Sequence, residues 1–419
     1  MDLLLILLLI SLLPLFLRQI LPLESMIFLV VLGGIALVCL VLRNVQNFTI
    51  YGGGLTTVYG FPEMFIHVQQ LFEKSFIFFL LGNLATSLFL RERHLSTPQK
   101  LIPFSTNGDK IRVIPIFIIL SCLLISVYLI KEGSLLLKRD TYLFASGGSL
   151  TGNIHYFMPM IGSVAFYFFF VSKIGRERIL LLLLSVVPIF VSLCSASRSV
   201  AIGIILMTGI FVIHIQGILK RLFVTVIGFL ISSVATNLVL ELRNLDGHGL
   251  IPYAHAIVGG SIKILPNWGN VTGNFFSTIP VTYLGSQIKP PNGMLSVAFS
   301  PFTGKSNGWY EMAGALMINP WTPSGAIAQI ASLGPVKLGV TWFLLGVSIY
   351  SIAYGYKQIP IFEIRFVSYA LTIGALVQML QYSARNGARY LYMNLLFMIT
   401  MLVIYKFYSN TARNQDRSR

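Results

Sequence analysis

Charged residues are scarce in this chain, and their scarcity excludes an ordinary soluble domain. Only 11% of the 419 residues are Asp, Glu, Lys or Arg, whereas 55% are hydrophobic. Soluble domains carry about 25% charged residues. The mean hydropathy of +0.79 places the chain among polytopic membrane proteins.

The sequence also lacks the motifs that hold metals and cofactors. Its three cysteines, Cys39, Cys122 and Cys194, show no CxxC or Cys/His spacing, which argues against a disulfide framework and against a zinc site. The Asp residues are isolated and supply no DxD motif or paired carboxylate for a divalent metal. There is no Walker loop and no GxGxxG motif. We therefore expect no cofactor and no metal, so an activated donor must arrive as part of the substrate.

Long apolar runs are abundant and predict membrane-spanning helices. About 20 residues cross the hydrocarbon core as a helix, and backbone groups in lipid must be satisfied within their own segment. We expect about 11 spans, within a range of about 10 to 14. The first run starts with an acid and has no cleavage site, so we interpret it as a retained span. The runs lie near Leu3 to Leu17, Ser25 to Leu42, Gln70 to Leu90, Ile114 to Ile130, Ile154 to Ser172, Ile179 to Leu193, Val200 to Gln216, Leu222 to Leu240, Val336 to Tyr354, Phe366 to Gln381 and Tyr390 to Tyr408. Tyr51 to His67 and Gly314 to Leu333 remain open as re-entrant or interfacial segments.

The net charge of +16 is explained by basic residues in alternate links between the runs. The positive-inside rule assigns these links to the cytoplasm, so the charge predicts orientation rather than nucleic-acid binding. The N-terminus and the polar interval from Glu241 to Gly325 then lie outside. One link, from Lys131 to Arg139, is basic and falls on the outer side, in conflict with the rule. The cytoplasmic links contain Arg91, Arg93, Lys100, Lys110 and Arg112; Lys173, Arg176 and Arg178; Lys220 and Arg221; Lys357 and Arg365; and Arg413, Arg417 and Arg419.

The polar interval divides the predicted molecule into three parts. Residues 1–240 contain transmembrane helices 1 to 8, residues 241–325 form one large outer loop with short helices, and residues 326–419 contain helices 9 to 11 and a short cytoplasmic tail. The predicted fold class is an all-α polytopic membrane protein. No repeat and no pair of matching halves, which would indicate an inverted-repeat transporter, is evident.

Four arginines lie on the outer side, where orientation alone does not place them. Each adjoins the end of an apolar span: Arg198, Arg243, Arg385 and Arg389. Charges at such positions are costly and tend to be functional, and the planar guanidinium matches phosphate oxygens. We expect these arginines to bind a lipid pyrophosphate. The alternative for each is a snorkelling side chain or a local ion pair, such as Arg243 with Asp246.

Two residues are candidates for a general base that takes a proton from an acceptor hydroxyl. Glu311, beside Trp309 and Tyr310, is the first candidate, and His255 is the second. Trp309 and Tyr310 offer flat apolar faces for stacking on sugars, and Asp246 is grouped with these substrate-binding residues. The alternatives are a solvated or salt-bridged loop acid for Glu311, satisfied loop histidines for His248 and His255, and interfacial anchors for the aromatic residues.

Two stretches complete the pattern: SASRSVAIG, which opens a span, and the Gly- and aromatic-rich SNGWYEMAGALMINPWTPSGAIAQIASLGPVKLG. With many spans, one large late outer loop and outer arginines, the chain resembles bacterial O-antigen polymerases of the Wzy type, the oligosaccharide repeat-unit polymerases. The resemblance implies a metal-independent glycosyltransferase of the GT-C type in the bacterial inner membrane, with its active site facing the periplasm. Such an enzyme takes undecaprenyl-pyrophosphate-linked oligosaccharide as its substrate and joins the reducing end of one glycan to the non-reducing end of another.

Other functions stay open on the sequence alone. An O-antigen ligase shares the donor, the spans and the large loop but transfers the glycan to lipid A core. A lipid-linked oligosaccharide flippase and a noncatalytic scaffold belong to other classes. Besides the lipid-linked glycan, the expected partners are membrane lipids, with a chain-length regulator left open and no nucleic acid.

Overall fold

The structure, a computed structural model, describes most of the chain in segments. These are residues 20–43, 49–52, 55–59, 62–91, 113–140, 150–172, 174–197, 199–215, 217–262, 277–301, 308–319, 322–357, 362–381 and 383–417. The expected first span, near Leu3 to Leu17, lies outside the described residues.

The described chain is mainly helical and includes two short hairpins, which confirms the predicted all-α class. The helices are α1 (Leu23–Leu42), α2 (Pro62–Arg91), α3 (Val113–Leu137), α4 (Leu150–Val171), α5 (Gly175–Cys194), α6 (Ser199–His214), α7 (Ile218–Arg243), α8 (Leu250–Val258), α9 (Thr278–Gln287), α10 (Met294–Ala298), α11 (Trp309–Ala315), α12 (Ala326–Ala331), α13 (Pro335–Lys357), α14 (Phe362–Gln381) and α15 (Ala384–Arg417). The hairpins pair β1 (Thr49–Gly52) with β2 (Leu55–Tyr59) and β3 (Met317–Asn319) with β4 (Thr322–Pro323), both antiparallel.

Six of the described helices are long and apolar enough to cross a membrane. Their candidate spans are Leu23–Leu42, Pro62–Leu90, Ile114–Leu137, Gly175–Cys194, Leu219–Arg243 and Pro335–Lys357. Shorter apolar stretches occupy Phe157–Phe170, Ser199–Val212 and Val367–Leu380. The protein is therefore a multi-helix membrane protein, while the count of about 11 spans stays a prediction.

The exposed surface of several helices explains why they need lipid. Ile130 on α3 is 84% exposed, and Leu219 on α7 is 78% exposed. Large apolar side chains exposed in this way cost free energy in water but not in hydrocarbon. The exposed apolar set also includes Ile119, Leu123, Ile179, Leu183, Leu222, Phe223 and Phe229.

The chain forms two compact units. The first unit comprises Met1–Phe104 and Gly273–Arg419, and the second comprises Ser105–Thr272. These units are groups of residues that pack together, whereas the sequence predicted a division into membrane spans and an outer loop. That division stays a prediction.

Close helix contacts build the first unit, where α2 packs against both α1 and α13. The ring of Phe28 contacts Phe79 at 5.0 Å and stacks on Trp342 at 5.7 Å between centroids. A buried Ser25 hydroxyl donates to the Asn83 side-chain oxygen at 2.6 Å, which joins α1 to α2. Polar bonds of this kind stabilise helix association where the surrounding lipid gives no hydrophobic driving force.

The short helix α12 lies among longer helices of the first unit. It contacts α2, α9, α13, α14 and α15, and its residues from Ala326 to Ile330 are buried. The segment from Gly314 to Leu333, left open as re-entrant, therefore contains the end of α11, a hairpin and this buried helix.

The second unit is a bundle of α3 to α7 with α8 at one end. The carboxyl ends of α3, α5 and α7 meet there, together with the start of α4 and the start of α6. A small core of Ala196, Val200, Val239, Leu242, Tyr253, Ala256 and Ile262 fills this end.

Candidate functional site

The turn between α5 and α6 is the centre of a polar cluster in the second unit. Ala196 in this turn is fully buried and has φ +49°, the one positive φ outside glycine among the described residues. The Ser197 and Ser199 hydroxyls lie 2.7 Å apart, and the Ser199 amide donates to the Ser197 hydroxyl at 3.3 Å, where α6 begins. This turn is the SASRSV stretch identified in the sequence.

Arg139, which follows the end of α3, reaches this turn with its side chain. Its Nη1 donates to the Cys194 carbonyl at 2.9 Å and to the Leu135 carbonyl at 3.1 Å. Both carbonyls belong to the last turns of helices, where unsatisfied acceptors and the helix dipole favour a positive charge. Arg139 is 7% exposed, and burial lowers the pKa of its guanidinium from its ordinary value. An arginine stays protonated under such a shift.

A second contact fixes the backbone of Arg139. Its amide donates to the His248 carbonyl at 2.8 Å, and the His248 amide donates back to the Arg139 carbonyl at 2.9 Å. This bridge joins the segment after α3 to the segment after α7. The adjacent Gly249 has φ +106°, and a Cβ there would lie 2.8 Å from the Leu136 carbonyl oxygen, so only glycine fits without movement.

Tyr253 on α8 connects the two side chains of this bridge. Its hydroxyl lies 3.2 Å from His248 Nδ1 and accepts from Arg139 Nη2 at 3.5 Å. Burial raises the pKa of Tyr253 and lowers that of His248, and the charge of Arg139 lowers both. All three side chains are hydrogen-bonded if His248 is neutral and its Nδ1 accepts a hydrogen bond from the Tyr253 hydroxyl. His248 therefore has the structural role left open in the sequence, that of a satisfied loop histidine.

Arg243, the last residue of α7, contacts the same turn. Its Nε and Nη2 both donate to the Ala196 carbonyl, at 2.9 and 2.8 Å. Cys194 and Ala196 thus each present a carbonyl to a different arginine. The guanidinium that we expected to bind pyrophosphate is used here, in part, to hold the backbone two residues before Arg198.

His155 on α4 completes the set of side chains around the turn. Its Nε2 lies 3.3 Å from the Ser195 hydroxyl and its Nδ1 lies 3.1 Å from the Tyr128 hydroxyl. Because the Ser195 hydroxyl donates to the Ser192 carbonyl at 2.8 Å, it accepts from the imidazole. This histidine therefore orients the turn from the α4 side.

In the first unit, Arg385 is the centre of a second cluster. It is fully buried, donates from Nη1 to the Val297 carbonyl, and has its guanidinium carbon 5.2 Å from the centre of the Trp309 ring. The Tyr392 hydroxyl donates to the Phe299 carbonyl nearby. These contacts hold α10 and α11 against the start of α15. Pyrophosphate binding by Arg385 stays a prediction.

The start of α15 is fixed by α12 and by its own capping residue. The Ala384 amide donates to the Gln329 side-chain oxygen at 3.1 Å, and Gln329 Nε2 donates to the Ser324 carbonyl at 2.8 Å. The Ser383 hydroxyl accepts from the Asn386 amide at 3.3 Å. The segment that bears both Arg385 and Arg389 therefore begins at a well-defined backbone position.

The other predicted site residues lie apart from these contacts or outside the description. Glu311 on α11 and His255 on α8 are exposed, Asp246 is exposed between α7 and α8, and Arg389 is half-buried one turn after Arg385. Arg198 and the side chain of Tyr310 lie outside the described residues. Arg385 and Trp309 are brought together, whereas the two candidate bases belong to different units.

Sequence reasoning missed Arg139, His155 and Tyr253. A signal for Arg139 was present, because it belongs to the basic link that conflicts with the positive-inside rule. A buried arginine that binds carbonyls gives a physical reason for that conflict. His155 and Tyr253 carried no comparable signal, since each is an isolated polar residue in or near apolar sequence.

No family model matches the chain, and no curated protein or solved structure is significantly similar to it.

Proposed function

We propose that this protein polymerises oligosaccharide repeat units linked to undecaprenyl pyrophosphate at the periplasmic face of the bacterial inner membrane. The fold that we propose for this enzyme is of the GT-C type, with about 11 membrane-spanning helices. The products are O-antigen or a related surface polysaccharide.

The observation that carries the proposal is the clustering of arginines at one end of the second unit. Arg139 and Arg243 lie at the carboxyl ends of α3 and α7. Their side chains donate to backbone carbonyls of the turn that precedes Arg198 in the sequence. The exposed basic residues Arg176, Arg178, Lys220 and Arg221 lie at the other end, where α5 and α7 begin. The positive-inside rule assigns the second group to the cytoplasm, so the arginine-held turn faces outward, where a flipped lipid-linked glycan is exposed.

The proposed chemistry needs charge stabilisation rather than a cofactor. The bond between the anomeric carbon and the pyrophosphate oxygen breaks, and an acceptor hydroxyl oxygen bonds to that carbon. The hydroxyl proton passes to a base, and the lipid pyrophosphate leaves with an added negative charge. Guanidinium groups that are already positioned stabilise that charge as it develops.

In this proposal, Arg198, Arg243, Arg385 and Arg389 bind pyrophosphate. Glu311 is the first candidate for the base and His255 the second, and both side chains are exposed. Trp309, Tyr310 and Asp246 contact sugars.

Alanine substitutions test the arginines in cells. Replacing Arg198, Arg243, Arg385 or Arg389 individually should abolish long polymer on a polysaccharide gel while the protein remains in the membrane fraction. Arg176→Ala is the matched control, since it removes an exposed arginine at the opposite end of the second unit and should leave the ladder unchanged. Normal ladders from all four variants would refute the assignment of these arginines.

Deletion of the protein distinguishes polymerase from ligase. Loss of a polymerase leaves single repeat units attached to lipid A core, whereas loss of a ligase leaves none attached. Purified protein incubated with a synthetic lipid-linked repeat unit, without metal or nucleotide, should give a product ladder.

A further inference from the structure

Two arginines hold the turn between α5 and α6 from different elements. Arg139 reaches it from the end of α3 and bonds the Cys194 carbonyl, while Arg243 reaches it from the end of α7 and bonds the Ala196 carbonyl twice. Between these carbonyls lies Ser195, which His155 contacts from α4. Three helices therefore determine the backbone of a turn only a few residues long.

The cost of this arrangement indicates that the turn conformation matters. A buried charge is stable only when it is paired and hydrogen-bonded, and Arg139 is 7% exposed. Ala196 has a left-handed backbone, which is unfavourable for an L-residue other than glycine. Such local strain persists only where the surroundings over-determine it, and it concentrates at functional sites.

We propose that Arg139 is a positioning residue for the proposed glycosyl transfer: with Arg243 it clamps the Cys194–Ala196 turn, which comes two residues before Arg198 in the sequence. The inference rests on the proposed function, in which Arg198 stabilises the departing pyrophosphate. Arg139 itself touches carbonyls rather than substrate. Its removal therefore acts on the rate of the chemical step, because small displacements of a charge-stabilising group weaken it most in the transition state.

The chain contains its own reporter for the turn, the buried free thiol of Cys194. In native membranes, alkylation by a membrane-permeant maleimide can be followed at each cysteine by mass spectrometry of peptides. Arg139→Gln should raise the alkylation rate at Cys194 by about tenfold, because the turn opens more often. The rates at Cys39, which is buried in the first unit, and at the exposed Cys122 should stay unchanged.

Measurements of kcat and KM distinguish a positioning role of Arg139 from a role in substrate binding. Arg139→Gln should lower kcat for polymer formation by about 10- to 100-fold and change KM for the lipid-linked glycan by less than about threefold. Arg139→Lys should restore part of kcat, because an ammonium can bond the Cys194 carbonyl but cannot reach several acceptors as the guanidinium does. Arg176→Gln, the matched loss of an exposed arginine, should leave kcat and alkylation at wild-type values.

Tyr253→Phe is a second variant that tests the proposal if the Arg139→Gln protein does not accumulate in the membrane. It removes one contact of Arg139 and leaves both carbonyl bonds, so it should give a smaller change in the same direction for both readouts. Unchanged Cys194 alkylation in Arg139→Gln, Arg139→Lys and Tyr253→Phe would overturn the clamp. Faster alkylation with wild-type kcat would overturn the positioning role and leave the polymerase assignment standing. Absence of any polymer from wild-type protein would overturn the proposed function, while the alkylation rates would still report on the turn.

Discussion

A buried alanine with left-handed backbone occupies the centre of the turn that the arginines hold. At φ +49° a β-branched side chain is strongly disfavoured, and Ala196 has no exposed surface to accept added atoms. Ala196→Val should therefore lower the free energy of unfolding by about 2 to 4 kcal/mol. In Ala196→Gly, relief of backbone strain offsets the lost methyl contact, so the change should stay within about 1 kcal/mol. Thermal unfolding of the detergent-solubilised variants measures both, and equal melting temperatures would contradict the strain.

His248 gives the same end of the second unit a dependence on pH. Burial and then the charge of Arg139 lower its pKa from the ordinary 6.5, so the folded state favours neutral imidazole. As pH falls, the unfolded state therefore binds the extra proton before the folded state does. The contribution of His248 to the free energy of unfolding is fully present above pH 6.5 and is lost as pH falls through the lowered pKa. His248→Gln should remove that part of the pH dependence. Melting temperatures of both proteins between about pH 7.5 and 5 measure it, and identical pH slopes would show that His248 does not contribute.

At the scale of helices, two glycines allow α2 and α13 to approach closely in the first unit. A Cβ at Gly82 would lie 2.1 Å from the Phe343 carbonyl oxygen, and one at Gly346 would lie 2.3 Å from the Phe79 carbonyl oxygen. Both obstacles are backbone atoms, which cannot move aside as a flexible side chain can. Small residues at such reciprocal positions are the usual basis of tight helix packing in membranes.

Alanine substitution tests this contact with a matched control on a neighbouring helix. Gly346→Ala should destabilise the protein by about 2 kcal/mol or more, because α13 must separate from α2. Gly34→Ala on α1 meets no atom within 4 Å, so it should be neutral or stabilise the helix by up to about 1 kcal/mol. Melting temperatures in one detergent compare the two variants. A Gly346→Ala protein as stable as Gly34→Ala would rule out the close contact.

Helices were predictable from the sequence because a run of apolar residues dictates one solution in lipid. The run from Leu222 to Leu240 falls inside α7, and that from Ser25 to Leu42 matches α1. The contacts of the arginines were not predictable, because Arg139 and Cys194 are 55 residues apart. Single-residue patterns identify a charge that is out of place, as they did for Arg243 and for the link that ends at Arg139. They do not reveal whether its partner is a phosphate or a backbone carbonyl.

At the scale of the whole molecule, the proposed function depends on which end of the second unit faces outward. The exposed Asn244 follows α7, and the exposed Lys220 lies in the first turn of the same helix, so the two positions mark opposite ends of one span. If the arginine-held turn faces the periplasm, Asn244→Cys should react with an impermeant thiol reagent in intact spheroplasts. Lys220→Cys should react only after the membrane is permeabilised, and wild-type protein corrects for its native cysteines. The reverse pattern would place the turn in the cytoplasm, where a glycan flipped to the outer face cannot reach it, and would refute the polymerase proposal at its first requirement.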